Sequence, residues 1–230
     1  TDDGASNVAV GYLALSANCQ NNNTSVGVQS LLICTGTANT ALGQAAGFAI
    51  TDGDGNVMIG QDAGRTNGPA GNVTTADNQL CVGSEAITHA FVEVDWTVGS
   101  DQRDKTDFTA LDLGLDFVKA LNPVTYKWDK RSSYVSEENM DTVDLNTISN
   151  DGTHKEDWLD VGFKAQEVEA LEEAAGYRIA NKTNLTTSMT SDGKKYGMKY
   201  AKFVPILVKA MQEQNALIEA LTARITTLEG

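Results

Sequence analysis

The sequence predicts a mixed fold: an N-terminal array of short β repeats wound as a β-roll or β-prism, then an α+β segment ending in a long coiled-coil helix. Three observations predict it. A glycine-punctuated pattern recurs through residues 7–87, the composition changes at residue 100, and a heptad seam runs to the C-terminus.

The repeats come first along the chain. Asn7-Val-Ala-Val-Gly11, Asn23-Thr-Ser-Val-Gly27, Asn39-Thr-Ala-Leu-Gly43 and Asn56-Val-Met-Ile-Gly60 share one pattern, with Gln79-Leu-Cys-Val-Gly83 as a degenerate fifth copy. Their glycines are spaced 16, 16, 17 and 23 residues apart, and three positions after each stands a small residue: Ala14, Ser30, Ala46, Ala63 and Ala86. Each unit reads as a short strand, a glycine turn, a second short stretch and a polar loop. Apolar side chains alternate with period two. Asparagine before the strand can bond neighbouring backbone groups, and glycine after it permits a positive φ or a close backbone approach. One unit cannot bury its own apolar face, so the units must stack, or three chains must wrap together. Large apolar residues are too few for a monomeric globular core, and the expectation is a trimeric β-roll or interwoven β-prism, with a monomeric β-solenoid as the alternative. Asp52-Gly-Asp-Gly-Asn56 lacks the later bidentate glutamate of a calcium loop and reads as a solvated turn.

Composition divides the chain at the same place. Residues 1–99 carry one basic side chain, Arg65, against nine acids, together with 14 of the 21 glycines. Residues 100–230 carry 16 basic residues against 22 acids, for a net charge of −14 overall. No Lys/Arg cluster supplies the basic patch that nucleic acid or anionic lipid would need, so neither is expected as a partner. Cys19, Cys34 and Cys81 lack metal-ligand spacing, and their odd number argues against a disulfide framework; they read as structural thiols. No metal or cofactor is expected. No apolar run approaches a membrane span and no secretion signal opens the chain, so membrane insertion is not expected either. Thr1 in place of an initiating Met points to further chain upstream.

After Lys105, Leu111, Leu115, Val118 and Leu121 recur at helical spacing, and Asn122-Pro123 ends that helix. Val124 to Trp128 alternates as a strand. Residues 129–157 read as a polar excursion on the surface, Trp158 to Phe163 as a strand, Ala165 to about Ala175 as a helix, and Tyr196 to Tyr200 as a last strand. A long helix follows over about 201–229, with Pro205 tolerable in its first turn. From Leu207, the positions Met211, Gln214, Ile218, Leu221, Ile225 and Leu228 advance by alternating steps of four and three, a coiled-coil seam. Ile at a with Leu at d leans towards a dimer, whereas Gln214 in the seam is compatible with register-setting in other oligomers.

These residues carry two resemblances. The array is similar to the head repeats of trimeric autotransporter adhesins and of phage tail fibres. Downstream, four elements occur in order: Ser100-Asp-Gln-Arg103-Asp-Lys105, Leu121-Asn-Pro-Val-Thr-Tyr-Lys-Trp128, Gly162-Phe-Lys-Ala-Gln-Glu-Val168, and Tyr196-Gly-Met-Lys-Tyr200 leading into Phe203-Val-Pro-Ile-Leu207. Together they resemble the self-cleaving intramolecular chaperone at the C-terminus of phage tail spikes and fibres, endosialidases included. One departure is plain: Asp104 replaces the family's usual apolar residue before the lysine.

The resemblance implies a β-repeat tail-fibre segment over 1–99 and a chaperone over 100–230. That chaperone would hold three chains in register as a homotrimer and then leave by autoproteolysis. It maps a Ser/Lys dyad onto Ser100 and Lys105, with Asp101 and Arg103 as conformation-setting residues, and it makes the chain a single-turnover serine autoprotease. The fibre part would sit in the virion tail and contact a host-surface receptor, after assembly in the host cytoplasm.

A serine hydroxyl needs a base to become a nucleophile, and an amine serves only when neutral, which calls for burial. The carboxylates of Asp101 and Asp104 should therefore point away from the amine, towards Arg103. Five positions along one helix would turn the two side chains about 140° apart, so Ser100 should lie just before a helix or turn, or the dyad should form between subunits. Attack on the carbonyl of Gly99 passes through a five-membered ring, which favours the Gly99–Ser100 bond; Ser100–Asp101 is the alternative if the serine acts in trans. Two rivals stand beside this reading. A hydrolase of external substrates predicts turnover of peptides, and a permanently attached trimerisation cap of a fibre or surface adhesin predicts no cleavage. His89 and His154 have no evident partners in the sequence.

Overall fold

In the computed structural model, which describes residues 4–230, the repeats form five short strands: β1 (Val8–Val10), β2 (Thr24–Val26), β3 (Thr40–Leu42), β4 (Val57–Ile59) and β5 (Leu80–Val82). They lie in chain order in one parallel sheet. The register pairs each repeat with its successor position for position, as Ala41 with Met58 and Met58 with Cys81. The repeats thus stack within a single chain as successive coils of a β-solenoid.

The middle residue of β2, β3, β4 and β5 points inward, onto a core of Leu15, Leu31, Ile50, Met58, Val73, the three cysteines and small alanines. The chain therefore buries a core of its own, despite the shortage of large apolar residues, because alanine and cysteine fit the narrow coil. Cys19, Cys34 and Cys81 are free and buried, and burial pushes the Cys34 thiol up to about 11.

The repeat asparagines build a ladder. The side-chain oxygen of Asn7 accepts from the Asn23 N–H (2.8 Å), that of Asn23 from Asn39 (2.9 Å), that of Asn39 from Asn56 (2.9 Å) and that of Asn56 from Gln79 (2.9 Å). The amide of Asn39 also donates to the Gly53 carbonyl at 2.8 Å. The glycines form a second ladder: at Gly27, with φ +137°, a Cβ would lie 2.3 Å from the Gly43 carbonyl oxygen. The Asp54 carboxylate accepts from the Thr37 N–H (2.6 Å), so this acid of the Asp-Gly-Asp-Gly turn braces the neighbouring coil.

The chain divides into two compact units. Among the described residues, the first holds 4–90 together with 127–159 and 189–195; the second holds 91–126, 160–188 and 196–230. Residues 127–159, read from sequence as a surface excursion, pack in the repeat unit and bury Ser132, Met140 and Leu145. Their polarity reflects hydrogen bonding to loop backbone, which hydropathy alone does not register. The two histidines also gain ring partners: His89 meets the edge of Trp158 at 5.5 Å, and His154 that of Tyr134 at 4.6 Å.

The second unit contains α1 (Leu115–Ala120), β6 (Val124–Tyr126), β7 (Asp160–Gly162), α2 (Ala165–Ala174) and α3 (Phe203–Glu229). β6 pairs antiparallel with β7. Two further strands, β8 (Thr187–Met189) and β9 (Tyr196–Met198), form a two-stranded sheet; β8 carries no apolar alternation to announce it. α1 is shorter than its apolar spacing predicts, since Leu111 and Leu113 join the core from irregular chain before Gly114. Its first N–H groups lack an intrahelical acceptor, and Glu213 of α3 accepts from Leu115 N–H at 2.7 Å. Leu113, Phe117, Val168, Phe203 and Ile206 form the core that joins α1, α2 and the start of α3. Beyond Ala210 no residue of α3 is buried. Among the described residues no helix is long and apolar enough to cross a membrane.

Candidate functional site

Residues 100–105 wrap around a single turn of 3-10 helix, Gln102–Asp104. Asp101 caps that turn, its carboxylate accepting from the Arg103 N–H at 2.9 Å. The Arg103 guanidinium returns to the same carboxylate, at 2.6 Å through Nη2 and 3.1 Å through Nε. The side chain and then the backbone of Arg103 hold the Asp101 pKa below the usual carboxylate range. This pair is exposed, so it contributes shape rather than much stability.

The turn brings its two flanks together. Lys105 Nζ donates to Ser100 Oγ at 2.6 Å and to the Ser100 carbonyl oxygen at 3.3 Å. Ser100 precedes the turn and Lys105 follows it, which is how residues five apart can meet without sharing a helix face. Both come from one chain. Among the described residues no carboxylate forms an ion pair with Lys105, and Asp101 faces Arg103.

Gly99, Ser100, Asp101 and Lys105 are all exposed. A Cβ placed on Gly99 would meet nothing within 4 Å, so the bonds on either side of Ser100 are open to approach. The burial required of a lysine base is therefore not supplied by this chain alone. Seam positions Met211, Gln214, Ile218, Leu221, Ile225 and Leu228 of α3 are likewise exposed.

Two buried charges lie outside the predicted site. Glu172, on α2, lies fully buried among hydroxyl and backbone donors of residues 185–187. Arg65 lies buried among acids of the first unit. Its isolation as the lone basic residue of the repeats was the available signal; Glu172 had none, because a glutamate at that helical position looks like any solvated one.

Residues 100–177 match the model of a protein family described as chaperone of endosialidase. The match begins at Ser100 and covers about a third of the chain. It supports a chaperone domain in this stretch and suggests a role in tail fibre or spike assembly. A search of curated proteins found no match to the chain.

Proposed function

We propose that this chain is the C-terminal part of a phage tail fibre or spike, whose chaperone gathers three chains and is then severed from them by cleavage of the backbone beside Ser100. The observation that carries the proposal is the 2.6 Å contact between Lys105 Nζ and Ser100 Oγ at the first residue of the family match. In this reading neutral Lys105 takes the proton of Ser100 Oγ, and the oxygen attacks the carbonyl carbon of Gly99. The Gly99–Ser100 C–N bond breaks as the Ser100 nitrogen takes a proton, leaving an ester that water hydrolyses into two chains. A second bond is favoured by one contact: Lys105 Nζ also reaches the Ser100 carbonyl oxygen at 3.3 Å, where it would polarise the Ser100–Asp101 peptide for attack by a serine of another chain.

An amine left in water does not act as a base at neutral pH. Burial of Lys105 by neighbouring copies would supply what the single chain lacks, and would make cutting wait for assembly. The exposed seam of α3 is the surface that gathers the copies. The outer row of the β sheet, where Val10, Val26, Leu42, Ile59 and Val82 pair in register, gives the repeats an apolar face for the same copies. A host-surface receptor is the proposed partner of the assembled repeats.

Intact masses of the purified chain and of Ser100→Ala test the proposal. Fragments that meet at residue 99, 100 or 101 in the unaltered chain alone are expected, and their masses identify the bond. Uncut chains in both samples, still trimeric in native mass, would leave a permanent trimerisation cap instead.

A further inference from the structure

The 23-residue interval between the last two repeat glycines is longer than the other three, and its added loop is where residues 127–159 and 189–195 seat. Arg65 is the centre of that contact. Its side chain is 7% exposed, and its guanidinium donates to Asp62 (2.8 Å), to Glu137 (2.9 Å) and to Asp141 (2.7 Å through Nη2, 3.1 Å through Nε). It also lies 4.9 Å from the centre of the Phe48 ring. Burial opposes its charge, and the hydrogen bonds to Asp141, Asp62 and Glu137 outweigh that.

Backbone groups of the same loop are taken up by residues 190–195, the hairpin tip that connects β8 and β9. Asp192 accepts from the Asn72 N–H at 2.8 Å, directly over Gly71, where a Cβ would lie 2.6 Å from the carboxylate. Lys195 donates to the Gly68 carbonyl at 3.0 Å; past the loop, Lys130 donates to the Glu85 carbonyl at 3.0 Å. Every one of these pairs joins a residue before Ser100 to a residue after it.

We infer that cutting beside Ser100 does not by itself free the C-terminal piece, which stays docked on the last two repeats through Arg65 and the Asp192 tip. The inference rests on the proposed cleavage, because only a cut turns these intrachain pairs into an interface between two pieces. Separation would leave Arg65 facing Asp62 alone and strip the loop backbone of its partners, so the docked state resists release. The two sides are complementary: a forked cation on one side meets two carboxylates on the other, and a side chain at Gly71 would collide with the Asp192 carboxylate.

The test severs the chain independently of its own chemistry. A recognition site for a sequence-specific protease is inserted between Gly99 and residue 100 of the full Ser100→Ala chain, and the cut protein is followed by size exclusion and native mass. Both pieces are expected to travel together, and Arg65→Met or Asp192→Ala to part them about thirtyfold faster or more. Asp192→Ala, at a hairpin tip, guards against misfolding of the Arg65 variant. Pieces that separate as soon as the parent chain is cut would overturn the inference, as would variants that hold together as firmly as the parent. Because the protease makes the cut, a chain that never cleaves itself sinks the cleavage reading and leaves the dock to be judged on its own.

Discussion

Glu172 buries a carboxylate completely and surrounds it with donors. One oxygen accepts from the Thr186 N–H (2.5 Å), the Thr186 hydroxyl (2.8 Å) and the Leu185 N–H (3.1 Å), and the other from the Thr187 hydroxyl and the Thr187 N–H (3.3 Å). Burial pushes its pKa up, but the bonds from Thr187 and Thr186 outweigh that and hold it below the usual carboxylate range. A folded pKa below the unfolded value of about 4.3 adds stability that is complete above that value and is lost as the pH falls through the folded one. Glu172→Gln turns one acceptor into a donor facing Thr187 or Thr186. It is expected to cost about 2 kcal/mol at neutral pH, with the gap to the parent narrowing below about pH 4. Urea unfolding at both pH values checks this; a gap that stays constant would point to packing instead of charge. Ser100 and Lys105 make the contrasting case, a pair whose geometry is set by a turn but whose environment is water.

The β-solenoid depends on ladders more than on bulk. Its strands are three residues long, so each coil gains little from sheet hydrogen bonds alone, and the asparagine side chains add a second bonded column through the loops. Asn39→Ala would leave the Asn56 N–H and the Gly53 carbonyl without their partner in a buried place. The expected loss is roughly 1–3 kcal/mol for each unpaired group, read as a lower denaturation midpoint. An Asn39→Ala midpoint equal to the parent's would show that water replaces the side chain freely. The asparagine motif was legible because a polar side chain recurring at one register position needs a repeated acceptor or donor. Which group it would bond was not legible, since the partner lies 13–23 residues away on the next coil.

Taken whole, the molecule exposes apolar surface where a finished single-chain protein would not. Met211 is 69% exposed, Leu221 56% and Leu228 84%, all on one seam of α3. Copies of this chain are the proposed cover, since a heptad seam pairs best with others of the same period. Leu221→Asp places a charge in that seam and is expected to abolish the trimer in native mass, leaving monomer with an unchanged helical core at Phe203 and Ile206. A trimer that survives the substitution would move the proposed contact elsewhere, to the outer face of the β sheet.

Local pattern determined much about this protein by itself. Repeat periodicity marked the five strands, Asn122-Pro123 marked the stop after α1, and the heptad steps marked α3, because each depends on neighbours within a few residues. The ordered run from Ser100 to Lys105 also marked the candidate site, whose two side chains need only one turn to meet. Tertiary structure alone decided that residues 127–159 and 189–195 belong with the repeats, that Arg65 and Glu172 are buried, and that Lys105 stands in water within a single chain. Those outcomes turn on partners 70 or more residues apart for Arg65 and on donors at residues 185–187, beyond the end of its own helix, for Glu172, and burial of a charge is set by what folds over it, which no local spacing encodes.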